Sequence, residues 1–241
     1  MVTINTTATG ITATVMIDAN IALRLQSWFS PAFPIGAFSY SHGLEPAIEA
    51  GVVKDRESLI QWVGTLLTLG SGRIDARFFR ASWRSAPDVG QAAALAAEAA
   101  AWVPTAELLH EAERQGDAFL ATVEAAWPHP ATQAFRAALP DRPVLSVAAG
   151  FVAGAHGAPL DLALPLYLQA FAANVISAGV RLVPLGQTDG QRATAALERT
   201  VAQAAHDAIA GDDLDDLWTA TPGHDIHSMR HETQYARIFR S

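Results

Sequence analysis

The sequence predicts an all-α fold, a single-domain helical bundle built round two central apolar helices at about 144–183. Three observations lead there. No stretch sustains a period-two alternation of β-branched residues, whereas apolar residues recur at spacings of three and four in one segment after another. Val144 to Val183 carries few charges and is apolar on all sides, as befits helices enclosed by others. No internal repeat is present, and 241 residues can bury a core without help from a metal or a disulfide.

The chain divides into a Thr-rich, flexible tail at 1–16, a helical domain at 17–221 and a C-terminal docking tail at 222–241. The N-terminal stretch lacks the basic region and long apolar core of a secretory signal. Ile17, Ile21, Leu25 and Trp28 share the face of a first helix, which ends at Ser30-Pro31 because proline disfavours helical backbone in the residue before it. Ser41–Ala50 reads as a short helix stopped by Gly51. Asp55 then caps a helix inward at Leu59, Trp62, Val63 and Leu66, with Ser58 at the capping-box position. After Gly70-Ser71-Gly72, Arg73–Ser85 turns Ile74, Phe78 and Phe79 inward. The alanine-rich Gln91–Ala101 predicts a slender, closely packed helix up to Pro104.

Thr105–Ala126 places Leu108, Ala112, Phe119 and Val123 on one side. Pro128-His129-Pro130 ends that helix, and Pro140 and Pro143 bracket the next turn. Pro159 splits the apolar region into Val144–Ala155 and Leu160–Val183. Asp161, Gln169, Asn174, Ser177 and Arg181 interrupt the second of these, which reads as a core helix and not a membrane span. Pro184–Gln191 is a turn with a helix start at Thr188 or Asp189, and Thr194–Ile209 is amphipathic up to Gly211. Asp212, Asp213, Asp215 and Asp216 form an acidic patch round Leu214 and Leu217.

Composition narrows the function. A net charge of −8 with 16 Lys plus Arg argues against nucleic acid and against an anionic membrane surface. The absence of cysteine removes thiolate catalysis, disulfides and iron–sulfur clusters, and fits a reducing compartment. Half the residues are hydrophobic and only 17% charged, a balance that suggests apolar surface covered by partners.

No catalytic constellation stands out. Ser39, Ser41 and His42 are adjacent, with Glu45 nearby, but a serine and the next-residue histidine rarely meet productively and no nucleophile elbow is present. Gly186 and Gly190 lack the Lys-Ser/Thr ending of a phosphate loop. His224, His227 and His231 stack on one helical face, so His227 and His231 are weak candidates for a divalent ion, with Glu232 or Asp225 adding an oxygen. A metal-dependent helical enzyme using these histidines is therefore the competing reading. The alternative is an ordinary helix face bonded to backbone or carboxylates.

Three features point to docking. Ser30–Glu45 is punctuated by Pro31, Pro34, Gly36 and Gly43 yet carries Phe33, Ile35, Phe38 and Tyr40, too apolar for a solvated loop. It is expected to pack on its own bundle and present an edge to a partner, with Pro34, Gly36, Phe38, Tyr40 and His42 as contact residues. Asn174, Ser177 and Arg181 make a polar stripe on an apolar helix, where a buried Arg181 requires carbonyls, a carboxylate or a subunit boundary. The tail interleaves Met229, Tyr235, Ile238 and Phe239 with Arg230, Arg237 and Arg240, a mixture found at interfaces and equally in a last helix packed on its own domain.

The segments Ser-Pro-Ala-Phe-Pro-Ile-Gly-Ala-Phe-Ser-Tyr-Ser-His-Gly-Leu-Glu at 30–45, Arg-Leu-Val-Pro-Leu-Gly-Gln-Thr-Asp-Gly-Gln at 181–191 and Ile-His-Ser-Met-Arg-His-Glu-Thr-Gln-Tyr-Ala-Arg-Ile-Phe-Arg-Ser at 226–241 closely resemble the UreF family of urease accessory proteins. Ala37 stands where that family commonly has a second glycine. The resemblance implies an all-α, cytoplasmic homodimer with no catalysis of its own and no stably bound cofactor, nickel being handled by the complex. Its implied partners are UreD (also called UreH), the GTPase UreG and the urease apoprotein. It further implies that Met229, His231, Glu232, Tyr235, Arg237, Phe239 and Arg240 dock on UreD/UreH. By the same resemblance, Arg181, Gly186, Gln187 and Gln191 shape the dimer or the UreG-facing surface.

Overall fold

The computed structural model describes residues 18–211 and 214–241. The expected N-terminal tail, Ile17, Asp212 and Asp213 lie outside them. Among the described residues there are eleven α-helices and two short 3-10 turns and no strand, so the all-α prediction holds.

The order is α1 (Ala19–Trp28), α2 (Leu44–Glu49), α3 (Arg56–Leu69), α4 (Ser71–Arg84), α5 (Val89–Ala101), α6 (Ala106–Ala126), α7 (Pro130–Ala138), α8 (Leu145–Ala155), α9 (Leu160–Leu182), α10 (Gln187–Ala210) and α11 (Pro222–His231). Start signals are legible in the caps. Asp55 accepts from the Ser58 N–H while the Ser58 hydroxyl accepts from the Asp55 N–H, a complete capping box. Asp18, Asp88 and Thr105 cap α1, α5 and α6 through their side-chain oxygens.

The bundle is assembled round α8, whose residues from Ser146 to Ala153 are all buried. It packs against α4 on one side and α6 on the other. Small residues permit the approach: a Cβ on Gly150 would overlap the Phe79 carbonyl. Ser82 donates to the Val147 carbonyl across the same seam, at 2.8 Å. Phe151 stacks on Phe135 of α7 with centroids 4.2 Å apart.

Three expectations need adjustment. α9 is buried along one face only: it is long and apolar enough to cross a membrane, and half of that span is covered by the chain itself. Between Pro130 and Pro140, where the sequence reading places no element, the chain forms the helix α7. Proline at its first helical position starts that helix with no lost bond, and His129 caps it, accepting from the Ala131 N–H. The second helix runs Leu44–Glu49, not Ser41–Ala50, because His42 and Gly43 both sit at positive φ, 56° and 73°.

Candidate functional site

The apolar loop splits its side chains between two directions. Phe33 packs inward on Phe119 and Trp127, 5.3 and 6.3 Å between centroids, and Tyr40 is buried. Phe38, in a 3-10 turn entered from Gly36 at φ 75°, is 72% exposed. The loop forms one wall of an apolar groove of about 340 Å³ between α1, α6 and α9, lined among others by Trp28, Phe29, Ile35, Phe119 and Phe171. His42, Glu111 and Gln115 supply its polar end.

The C-terminal segment is strapped across this loop. After α11 it continues without regular structure, and its Arg240 N–H donates to the Ser39 carbonyl at 2.8 Å. In return the Ser41 N–H and hydroxyl both donate to the Ser241 carbonyl. Three carboxylates pin the strap from beneath. Glu45 accepts the N–H groups of Ile238 (2.8 Å) and Phe239 (3.0 Å), and Glu107 accepts Arg237 at 2.8 Å. Glu111 accepts the Ser241 hydroxyl. His231 is wholly buried at the start of the strap, with Nδ1 2.6 Å from Glu107 and Nε2 3.3 Å from Glu45.

Arg181 ties the third motif to the other two. Its guanidinium lies 3.8 Å from the Phe38 ring centroid and 4.4 Å from that of Phe239, and it donates to the Phe38 carbonyl at 2.7 Å. Contrary to the expectation of burial, Arg181 is exposed, and a backbone carbonyl with two aromatic faces satisfies it. The stripe of Asn174, Ser177 and Arg181 thus marks the exposed edge of α9. Gly186 is the N-cap of α10, and Gln187 and Gln191 are exposed on its first two turns. Asp189 on the same turn pairs with Arg56 of α3 and Arg192.

The tail residues also divide. Phe239 is buried, as is His231, and both hold the strap down, while Met229, Glu232, Tyr235, Arg237 and Arg240 face outward. Tyr235 is fully exposed and Ile238 78% exposed. Pro34 is exposed as well. The three tail histidines do not converge. His224 stacks on Trp62 with centroids 3.8 Å apart and His227 meets the same ring edge-on, whereas His231 faces the carboxylates. Burial lowers His224 to about 4. Among the described residues no three ligating side chains gather round one point.

His42 is the electrostatic centre of the groove. Its Nδ1 lies 3.4 Å from Glu111 and its Nε2 2.9 Å from the Ser71 hydroxyl, and its ring stands edge-on to Phe171 at 5.1 Å. Burial alone would lower its pKa, but Glu111, with Asp75 and Asp225 further off, raises it above the usual histidine value. Asp75 is pushed up to about 6 by burial, against the pull of Ser146, His42 and Tyr167. Ser41, spent on the Ser241 carbonyl and the Glu45 N–H, is no nucleophile for this histidine.

The carboxylates were the residues that sequence reasoning passed over. Glu107, Glu111 and Gln115 recur every four residues on α6, the spacing of neighbours along one helical face. That stripe was the available signal.

Fold and site together define an all-α protein whose principal feature is a surface made from three sequence-distant motifs, locked by carboxylates and an arginine. A family model for UreF matches residues 53–198, more than half of the chain. The chain is similar to urease accessory proteins UreF from Granulibacter bethesdensis (49% identical over 220 residues, 90% of this chain and 93% of the relative) and Azorhizobium caulinodans (46% over 226 residues, 91% and 95%). A third, from Bradyrhizobium diazoefficiens, is 45% identical over 227 residues, 93% of each chain. The chain belongs to the UreF family of urease accessory proteins.

Proposed function

We propose that this protein is a non-catalytic adaptor for nickel insertion. With UreD/UreH it recruits the GTPase UreG to apo-urease and couples GTP hydrolysis to nickel delivery. The observation that carries this reading is the convergence of the loop, the C-terminal end of α9 and the tail through Arg181, Phe38 and Phe239. Aromatic rings around an arginine, with further exposed apolar side chains at Met229, Tyr235 and Ile238, have the composition of interface anchors. Phe38, Tyr235 and Ile238 are the contact residues in this reading. Glu45, Glu107, His231 and Phe239 set their positions from below. The protein works in the cytoplasm as a homodimer, with Gln187 and Gln191 on the surface offered to UreG or to the second copy, and it keeps no cofactor.

The test is a reconstituted activation of apo-urease with nickel, GTP, UreD/UreH and UreG. Omitting this chain should abolish activation and adding it back should restore it. A chain carrying Phe38→Ser, Tyr235→Ser and Ile238→Ser should fail to restore it while keeping its helical spectrum. Full rescue by that variant would refute the reading. The competing metal-dependent enzyme gains nothing from the placement of His224, His227 and His231 on two separate sets of partners.

A further inference from the structure

We propose that His42 is a proton-operated hinge: its protonated ring clamps the 30–41 loop over the groove and onto the C-terminal strap, and the clamp slackens when the ring gives up its proton. His42 is the one non-glycine residue at positive φ among the described residues, and it adjoins Gly43, also left-handed. A side chain tolerates that conformation only where surrounding contacts enforce it. The contacts are those of the ring, to Glu111 on α6, Ser71 at the start of α4 and Phe171 on α9.

Protonation decides how strong these contacts are. With both nitrogens carrying hydrogen, Nδ1 donates to the Glu111 carboxylate and Nε2 donates to the Ser71 hydroxyl. A neutral ring has one donor and loses the ion pair. The groups facing it are Glu111 from α6, Asp75 from α4 and Asp225 with His224 from α11, three acidic groups against one weakly basic histidine. Their field raises the His42 pKa despite burial. A raised folded-state value means the stabilisation is fully present below the unfolded histidine value and is lost as pH climbs through the folded one. The acid range therefore closes the hinge and the alkaline range frees it.

The strap shares the clamp. Glu111 holds His42 with one oxygen and the Ser241 hydroxyl with the other, while Ser41, immediately before His42, holds the Ser241 carbonyl. Slackening at His42 thus reaches the loop, the groove and the strap together. Its consequence for partner binding rests on the docking reading above, but the motion itself does not.

Amide hydrogen exchange of the full chain without partners tests the motion, comparing about pH 6 with about pH 8 after correction for intrinsic exchange. Protection of residues 38–44 and 237–241 should fall severalfold at the higher pH while that of α8 holds. His42→Asn, which suits left-handed backbone but cannot be protonated, should erase the difference, and Glu111→Gln should shrink it. Equal protection of the loop and strap at both pH values in the wild type overturns the proposal, as does an unchanged pH response in His42→Asn. Because no partner is present, failure here leaves the docking reading standing, and failure of docking leaves the hinge standing.

Discussion

The Glu45 carboxylate accepts the backbone N–H of Phe239 at 3.0 Å, joining positions 194 residues apart. With Ile238 N–H on its other oxygen and His231 alongside, this buried carboxylate is the main pin of the C-terminal strap. Charged groups make stronger hydrogen bonds than neutral ones, and a buried group left without its partner costs more than the bond itself was worth.

Glu45→Ala should therefore free the strap. Two backbone donors and His231 lose their acceptor, a penalty of about 2–4 kcal/mol that opening the strap to water partly relieves. Hydrogen exchange should show 237–241 unprotected while α4, α6 and α8 stay closed. Unchanged protection of the Ile238 and Phe239 amides would show that the pin is dispensable.

Arg181→Ala should separate stability from binding. The residue is exposed, and its two cation–π contacts are worth about 0.5–1 kcal/mol each at such a site, so the thermal midpoint should fall by only a few degrees. Co-purification with UreD/UreH and UreG should fall much further, because Phe38 and Phe239 lose their common brace. Arg181→Lys should rescue only in part, since an ammonium cannot lie flat between two rings as a guanidinium does.

Gly150→Ala places a Cβ against the Phe79 carbonyl at the α4–α8 seam. Both partners are helix backbone and cannot turn aside, so α4 and α8 must separate. A loss of about 1–3 kcal/mol in denaturant midpoint measurements is expected. A neutral result would mean that the seam is looser than the α4–α8 packing indicates.

Asp75 gives the bundle its own pH dependence. Its carboxyl is pushed up to about 6 from an ordinary 3.8. A raised acid binds its proton more tightly when folded, so the stabilisation is complete below the unfolded value and is lost as pH rises through about 6. The loss is on the order of 2–3 kcal/mol at most. Asp75→Asn keeps the shape without the charge and should flatten the stability profile between about pH 4 and pH 7. A wild-type slope retained in that variant would place the titration elsewhere.

Much of this was legible in the sequence because it depends on local chemistry. The Asp55–Ser58 cap, the enclosed α8 and the left-handed glycines of the loop follow from residue type and spacing. The three motifs that form the surface were visible as well. Other features escaped because they depend on tertiary partners. A proline cluster that follows the end of one helix can also start the next, as Pro130 does for α7, and periodicity over nine residues is too short to announce that helix. Arg181 looked buried because its helix is apolar, yet only the fold shows which edge of α9 is covered. Glu107 and Glu111 looked like a solvated face until the strap came to lie on them.

In the proposed function, the braced loop and strap form the surface on which the urease accessory partners dock. Deleting 222–241 is too blunt a test, since it removes α11, which packs on α2 and α6. The direct measurement is co-purification of UreD/UreH and UreG with the full chain carrying Phe38→Ser, Tyr235→Ser and Ile238→Ser, all exposed positions whose change spares the core. Under the docking proposal, an intact helical spectrum, a near-normal melt and loss of the partner complex are expected. Wild-type recovery of both partners by this variant would contradict it.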